Sequence, residues 1–136
     1  MKTILLIDDD EATNVLHKRE IEKSEIEAEV TVAINGEEGL KVILDLIKSG
    51  EALPSVIFLD INMPRMNGWE FLDEYEKVTK GNDVNSNVVV MLTTSLNPDD
   101  RERASSYKSI CKYLTKPLRR AILPEVFEIC NINGNS

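Results

Sequence analysis

Five short strand-like runs, each stopping at a polar or turn-forming pair, limit what this chain can fold into. Residues 4–7 stop at Asp8-Asp9-Asp10, residues 56–59 at Asp60, residues 88–92 at Thr93-Thr94-Ser95, and residues 112–115 at Lys116-Pro117. Residues 28–34 close on the turn pair Asn35-Gly36. Runs that stay apolar instead of alternating predict strands buried on both faces.

Helical patterns fill the gaps. Leu40, Ile43, Leu44 and Ile47 recur at i, i+3, i+4, i+7, and Phe71, Leu72, Tyr75 and Val78 make a second stripe entered through Gly68. Asn97-Pro98 reads as an N-cap followed by a proline at the first helical position. A first helix is expected from about 11 to 24. Pro124 would break a helix begun at Arg119, so the last helix is expected to start near Pro124 and be short. Residues 81–87 read as a polar loop and 131–136 as a frayed tail. The order βαβαβαβαβα calls for an α/β fold: one parallel sheet, helices on both faces, right-handed crossovers.

The 136 residues fit one domain, 1–136. A net charge of −8 argues against nucleic acid as a direct partner, because phosphate binding needs a basic face. The longest apolar run, 88–92, is far short of the ~20 residues of a membrane span, and the N-terminal run is too short for a signal peptide. Cys111 and Cys130 form no close-spaced metal motif, so reduced thiols in the cytoplasm are the expectation.

In such sheets the site lies beyond the carboxyl ends of the strands. There the order gathers Asp8, Asp9, Asp10, Asp60, Thr94, Ser95 and Lys116. Crowded acids repel one another, and a hard divalent cation relieves this. A carboxylate beside Mg²⁺, a lysine and a hydroxyl suits in-line phosphoryl transfer.

The motifs Ile7-Asp8-Asp9, Leu59-Asp60-Ile61-Asn62-Met63-Pro64, Met66-Asn67-Gly68, Leu92-Thr93-Thr94-Ser95 and Tyr113-Leu114-Thr115-Lys116-Pro117 occur in this order. Together they resemble the receiver domain of bacterial response regulators, including its single-domain chemotaxis type. The resemblance implies a flavodoxin-like sheet of strand order 2-1-3-4-5. It implies a phospho-acceptor at Asp60, and Mg²⁺ held by Asp9 directly, by Asp8 mainly through water, by Asp60, and by the Asn62 carbonyl. Lys116 would pair with the phosphoryl group across a cis bond to Pro117, Tyr113 would be the aromatic switch, and Ser95 the small residue that admits phosphate. Thr93 and Thr94 compete for the switch threonine; the 22-residue interval to Lys116 selects Thr94. The implied partners are a sensor histidine kinase or histidine phosphotransfer protein and an effector not named by the sequence. The fourth helix, fifth strand and fifth helix are the implied output face, and the dimer face if one forms. A stand-alone cytoplasmic signalling protein, not an enzyme beyond self-phosphorylation and autodephosphorylation, is the expectation.

Departures lie on that face. Ser109-Ile110-Cys111 precedes Tyr113 where many receivers have Gly-Ala, and Leu96 stands where a polar residue is frequent. Leu96 and Asn62 are expected to flank the path of water toward phospho-Asp60. An enzyme alternative is a haloacid-dehalogenase-type phosphatase with Asp8 as nucleophile and Asp10 as acid; a third is a degenerate receiver that only binds. Plainer readings make Asp10 a helix cap or exposed, His17 a solvated helix residue, and Trp69, Phe71 and Tyr75 core. They make Glu37, Glu38, Glu70, Asp73, Glu74 and Glu76 solvated helix faces.

Overall fold

The computed structural model describes residues 2–81 and 88–134. Strands β1 (Lys2–Ile7), β2 (Ala28–Ala33), β3 (Val56–Leu59), β4 (Val89–Thr93) and β5 (Ile110–Thr115) alternate with helices α1 (Glu11–Lys23), α2 (Gly36–Ser49), α3 (Gly68–Gly81), α4 (Pro98–Ala104) and α5 (Leu123–Gly134). Every pairing is parallel, in the order β2-β1-β3-β4-β5. This is the flavodoxin-like architecture that the resemblance implies.

The two periodicities explain the layering. Along β1, Ile4 and Leu6 join Ile21 of α1 and Val126 and Phe127 of α5 in one core, while Leu5 and Ile7 join Ile43 of α2 and Phe71, Leu72 and Tyr75 of α3 in the other. Strand side chains alternate faces, so one sheet feeds two cores. Only β1, β3 and β4 are buried on both faces over the stretches read as apolar. β2 and β5 are the sheet edges and stay partly open. Trp69, Phe71 and Tyr75 are core, as read.

Helix starts follow side-chain chemistry. The side chains of Asp10, Asn35 and Asn97 cap α1, α2 and α4, with Pro98 at the start of α4. A 3-10 turn, Arg120–Ile122, precedes α5, and Pro124 sits in the first turn of α5, where its missing N–H costs nothing.

Several expectations need correction. The α5 backbone runs to Gly134, so 131–134 are helix instead of a frayed tail. Gly81 ends α3 and is not loop, while 82–87 lie outside the described residues. Cys111 and Cys130 form a disulfide, not two thiols. Packing α5 against β5 brings their Cα atoms to 5.9 Å, inside the range such a bond spans. Nor are all the helix acids merely solvated. Glu76 accepts from both the backbone N–H and the hydroxyl of Ser109, at 2.8 and 2.6 Å.

One glycine matters to the site. A Cβ on Gly68 would lie 2.4 Å from the Asp60 carbonyl oxygen and 3.0 Å from the Ile61 Cα. Both neighbours are backbone and cannot rotate away. Gly68→Ala is expected to cost about 1–3 kcal/mol of stability by this overpacking, read by urea denaturation. A neutral substitution would mean that this loop yields freely.

Candidate functional site

The site forms where β1 and β3 end side by side. Ile7 pairs with Leu59 in register, and the Asp60 N–H donates to the Ile7 carbonyl at 3.0 Å. The Asp8 N–H continues the ladder to the Ala33 carbonyl. Parallel pairing thus presents Asp8 and Asp60 at one level, 5% and 8% exposed, with Asp9 on the open rim. Carboxylate oxygens of Asp8, Asp9 and Asp60 all lie within 4.8 Å of one another.

Lys116 enters from the end of β5, and the bond to Pro117 is cis. Its Nζ lies 2.5 Å from Asp8 Oδ2 and 3.4 Å from Asp60 Oδ1. Burial pushes the Asp60 carboxyl up to about 6; Lys116 pulls it back and Asp8 adds to the rise. Burial alone would lower Lys116, but its hydrogen bond to Asp8 and the charge of Asp60 outweigh this and hold its ammonium above the ordinary value. Three carboxylates against one ammonium leave a formal charge of 1 − 3 = −2. A hard divalent cation with carboxylate ligands fits this donor set.

The loop after β3 frames the opening. Asn62 is exposed. The Gly68 N–H donates to the Ile61 carbonyl at 2.8 Å, and the Gly36 N–H to the Met66 carbonyl at 2.9 Å. Asn67 and Glu70 cap the start of α3 reciprocally, at 2.9 and 3.0 Å.

At the end of β4 the two threonines differ. Thr93 is 0% exposed, and its Oγ1 accepts from the Ser95 N–H at 3.1 Å; Thr94 is exposed. The Ser95 hydroxyl donates to Asp100 at 2.5 Å. Tyr113 pairs with Met91 across the sheet, so by alternation Thr93, two residues on, shares its face and Thr94 does not. The Tyr113 hydroxyl is buried without a hydrogen-bond partner, and the Arg101 guanidinium lies 4.7 Å from its ring centroid. Leu96, 84% exposed, lines the cleft between Ser95 and Tyr113.

Asp10 stands apart from this group. Its carboxylate accepts from the Ala12 N–H and the Thr13 hydroxyl, and the Thr13 bond above all holds it below the usual carboxylate range. An ionised cap is a poor general acid, which counts against the phosphatase alternative.

Two residues under the site escaped the reading of the sequence. His17 is buried, not solvated, and its Nε2 accepts the Leu118 N–H at 3.3 Å. The Asn14 side-chain amide donates to the Asp8 carbonyl at 2.9 Å, while its Oδ1 is buried and unpartnered. The available signal was their i, i+3 spacing on α1, with Ile21 four residues further on the same buried face.

Comparison with known proteins agrees with this geometry. Residues 4–128 match the family model of the response regulator receiver domain. Response regulator Rcp1 of Synechocystis is 34% identical over 85% of this chain and 76% of its own length. A two-component response regulator from Cytophaga hutchinsonii superposes with a TM-score of 0.86 at 30% identity, covering 96% of each chain. The Thermotoga maritima response regulator TrrA, solved with Mg²⁺ and beryllium fluoride, gives 0.73 at 28% identity, over 96% of this chain and 99% of its own. None of these supports the phosphatase alternative. With three acids and a lysine brought to the strand ends of a β2-β1-β3-β4-β5 sheet, and the family model spanning nearly the whole chain, this protein belongs to the response regulator receiver domain family.

Proposed function

We propose that Asp60 accepts a phosphoryl group from a phosphohistidine of a sensor kinase or phosphotransfer protein, and that the modified chain changes its affinity for a partner. The observation that carries this is the convergence of Asp8, Asp9, Asp60 and Lys116. An Asp60 oxygen bonds to phosphorus as the P–N bond breaks, and the electron pair returns to the donor imidazole. Lys116 offsets charge on the incoming phosphoryl oxygens. Asp8, Asp9, Asp60 and the Asn62 carbonyl are the proposed holders of Mg²⁺. When bound, the ion neutralises charge on the transferred group. The complex of TrrA with Mg²⁺ and beryllium fluoride supports this ligand class. Slow loss of the group by attack of water, past Asn62 and Leu96, belongs to the same reading. So does a cytoplasmic setting, where phosphohistidine donors act. Among the described residues no helix is long and apolar enough to cross a membrane.

The test is phosphorylation by acetyl phosphate with Mg²⁺, followed by mapping of the modified residue. Modification of Asp60 is expected, and modification of Asp8 in Asp60→Asn would favour a phosphatase.

Signal passes to the face of α4, β5 and α5. The Tyr113 hydroxyl is buried without a hydrogen-bond partner, which favours a second ring position in which it finds one. A threonine hydroxyl drawn toward a phosphoryl oxygen would free space for it. Thr93 shares the strand face of Tyr113, but by the same alternation Thr94 falls on the face of Asp60, and Thr94 is the threonine proposed to reach the phosphoryl group. Thr94→Ala is expected to accept phosphate yet lose most of its phosphorylation-dependent gain in partner affinity, with Thr93→Ala retaining that gain. The opposite pattern moves the role to Thr93.

A further inference from the structure

We propose that His17 is a positioning residue that aims Lys116 at the phosphoryl site. This rests on the reading of Lys116 given above and deepens it. His17 lies on α1, remote in sequence from Lys116, yet it is 3% exposed and lies directly beneath the acids. Together with Asp8, Asn14 and Asp60 it lines a void of about 10 Å³.

The turn that carries Lys116 has few backbone anchors. The Lys116 N–H is taken by the Thr93 carbonyl at 2.9 Å. Pro117 has no N–H to give. The next donor, Leu118, is 2% exposed, and its N–H goes to His17 Nε2. A buried N–H requires a partner, and here an imidazole supplies it. The lysine is therefore pinned on one side by β4 and on the other by α1. The same helix also holds the segments on either side: the Asn14 side-chain amide donates to the Asp8 carbonyl just past β1, and Glu20 accepts the Arg120 N–H of the 3-10 turn at 2.9 Å. Burial, and then the charge of Lys116, keep the imidazole below its usual pKa, so a lone pair remains on the ring to accept.

Removing the acceptor frees the turn after Lys116 but leaves the three carboxylates in place. Metal binding and phosphoryl-analogue binding should therefore separate. His17→Leu keeps bulk without an acceptor. His17→Gln returns an oxygen near the position of Nε2, and His17→Asn has an oxygen too short to reach.

The experiment titrates Mg²⁺, then beryllium fluoride at saturating Mg²⁺, on the full chain. Native Mg²⁺ affinity is expected throughout. Beryllium fluoride binding is expected to weaken about tenfold or more in His17→Leu and His17→Asn, the scale of losing an orienting partner, with His17→Gln near native. If His17→Leu does not fold, the contrast between His17→Asn and His17→Gln decides. Parallel loss of metal and analogue, or equal behaviour of His17→Asn and His17→Gln, overturns the proposal. A native chain that binds no beryllium fluoride brings down the underlying reading of the site, and the proposal with it.

Discussion

Asp60→Asn is expected to make the metal-free protein more stable at pH 7 while abolishing its capacity to accept phosphate. Asp60 is buried, next to Asp8, and its carboxyl is raised from 3.8 to about 6. The unfolded chain ionises Asp60 near its ordinary value. Between the two values the folded state holds the extra proton, so this group's contribution to stability falls as pH rises from about 4 to about 6 and is flat above. A shift of that size corresponds to at most about 3 kcal/mol. Asparagine removes the charge and keeps the size, and Lys116 retains its bond to Asp8. A gain of about 1–3 kcal/mol at pH 7, shrinking toward pH 4, is expected in urea denaturation with chelator present. Saturating Mg²⁺ should reverse the order, because binding to the folded state stabilises only a chain that binds the ion well. Lower stability of Asp60→Asn at pH 7 would show that burial of this carboxylate is not the cost inferred here.

Asp9→Ala is expected to weaken Mg²⁺ binding by about 10–100-fold, since a hard cation with only one or two carboxylate ligands loses a large share of its charge neutralisation. Asp9 is the exposed member of the acid cluster, so its removal leaves the fold nearly unchanged. Trp69 offers the readout: it is the second residue of α3, just past the Asn62 loop, it stacks on Tyr107 at 5.8 Å, and the Arg103 guanidinium lies 4.6 Å from its ring centroid. Asp10→Ala is the matched control. It loses an N-cap, at a cost of about 1 kcal/mol, and should bind Mg²⁺ as the native chain does. Equal loss of Mg²⁺ affinity in Asp9→Ala and Asp10→Ala would mean that the triplet acts as a diffuse charge, and the assignment of Asp9 would fall.

Much of this was legible in the chain because it depends on local chemistry. Apolar runs of strand length, caps such as Asn35 and Asn97, and a proline in the first turn of α4 and α5 act over a few residues, so the order of elements can be read directly. The place of the acids follows from that order, since a parallel sheet sends every strand's carboxyl end to one edge. Whether a polar residue is inside or out depends instead on which partner reaches it. His17 and Glu20 sit on the same helix; one is buried against Leu118, and the other meets Arg120, about a hundred residues away. Cys111 and Cys130 became a pair only when α5 packed on β5. The two adjacent threonines look alike in the chain. Only strand pairing separates them: by register Thr93 shares the strand face of Tyr113 and is buried, while Thr94 falls on the face of Asp60 and is exposed, because a step of one residue along a strand reverses the side chain's direction.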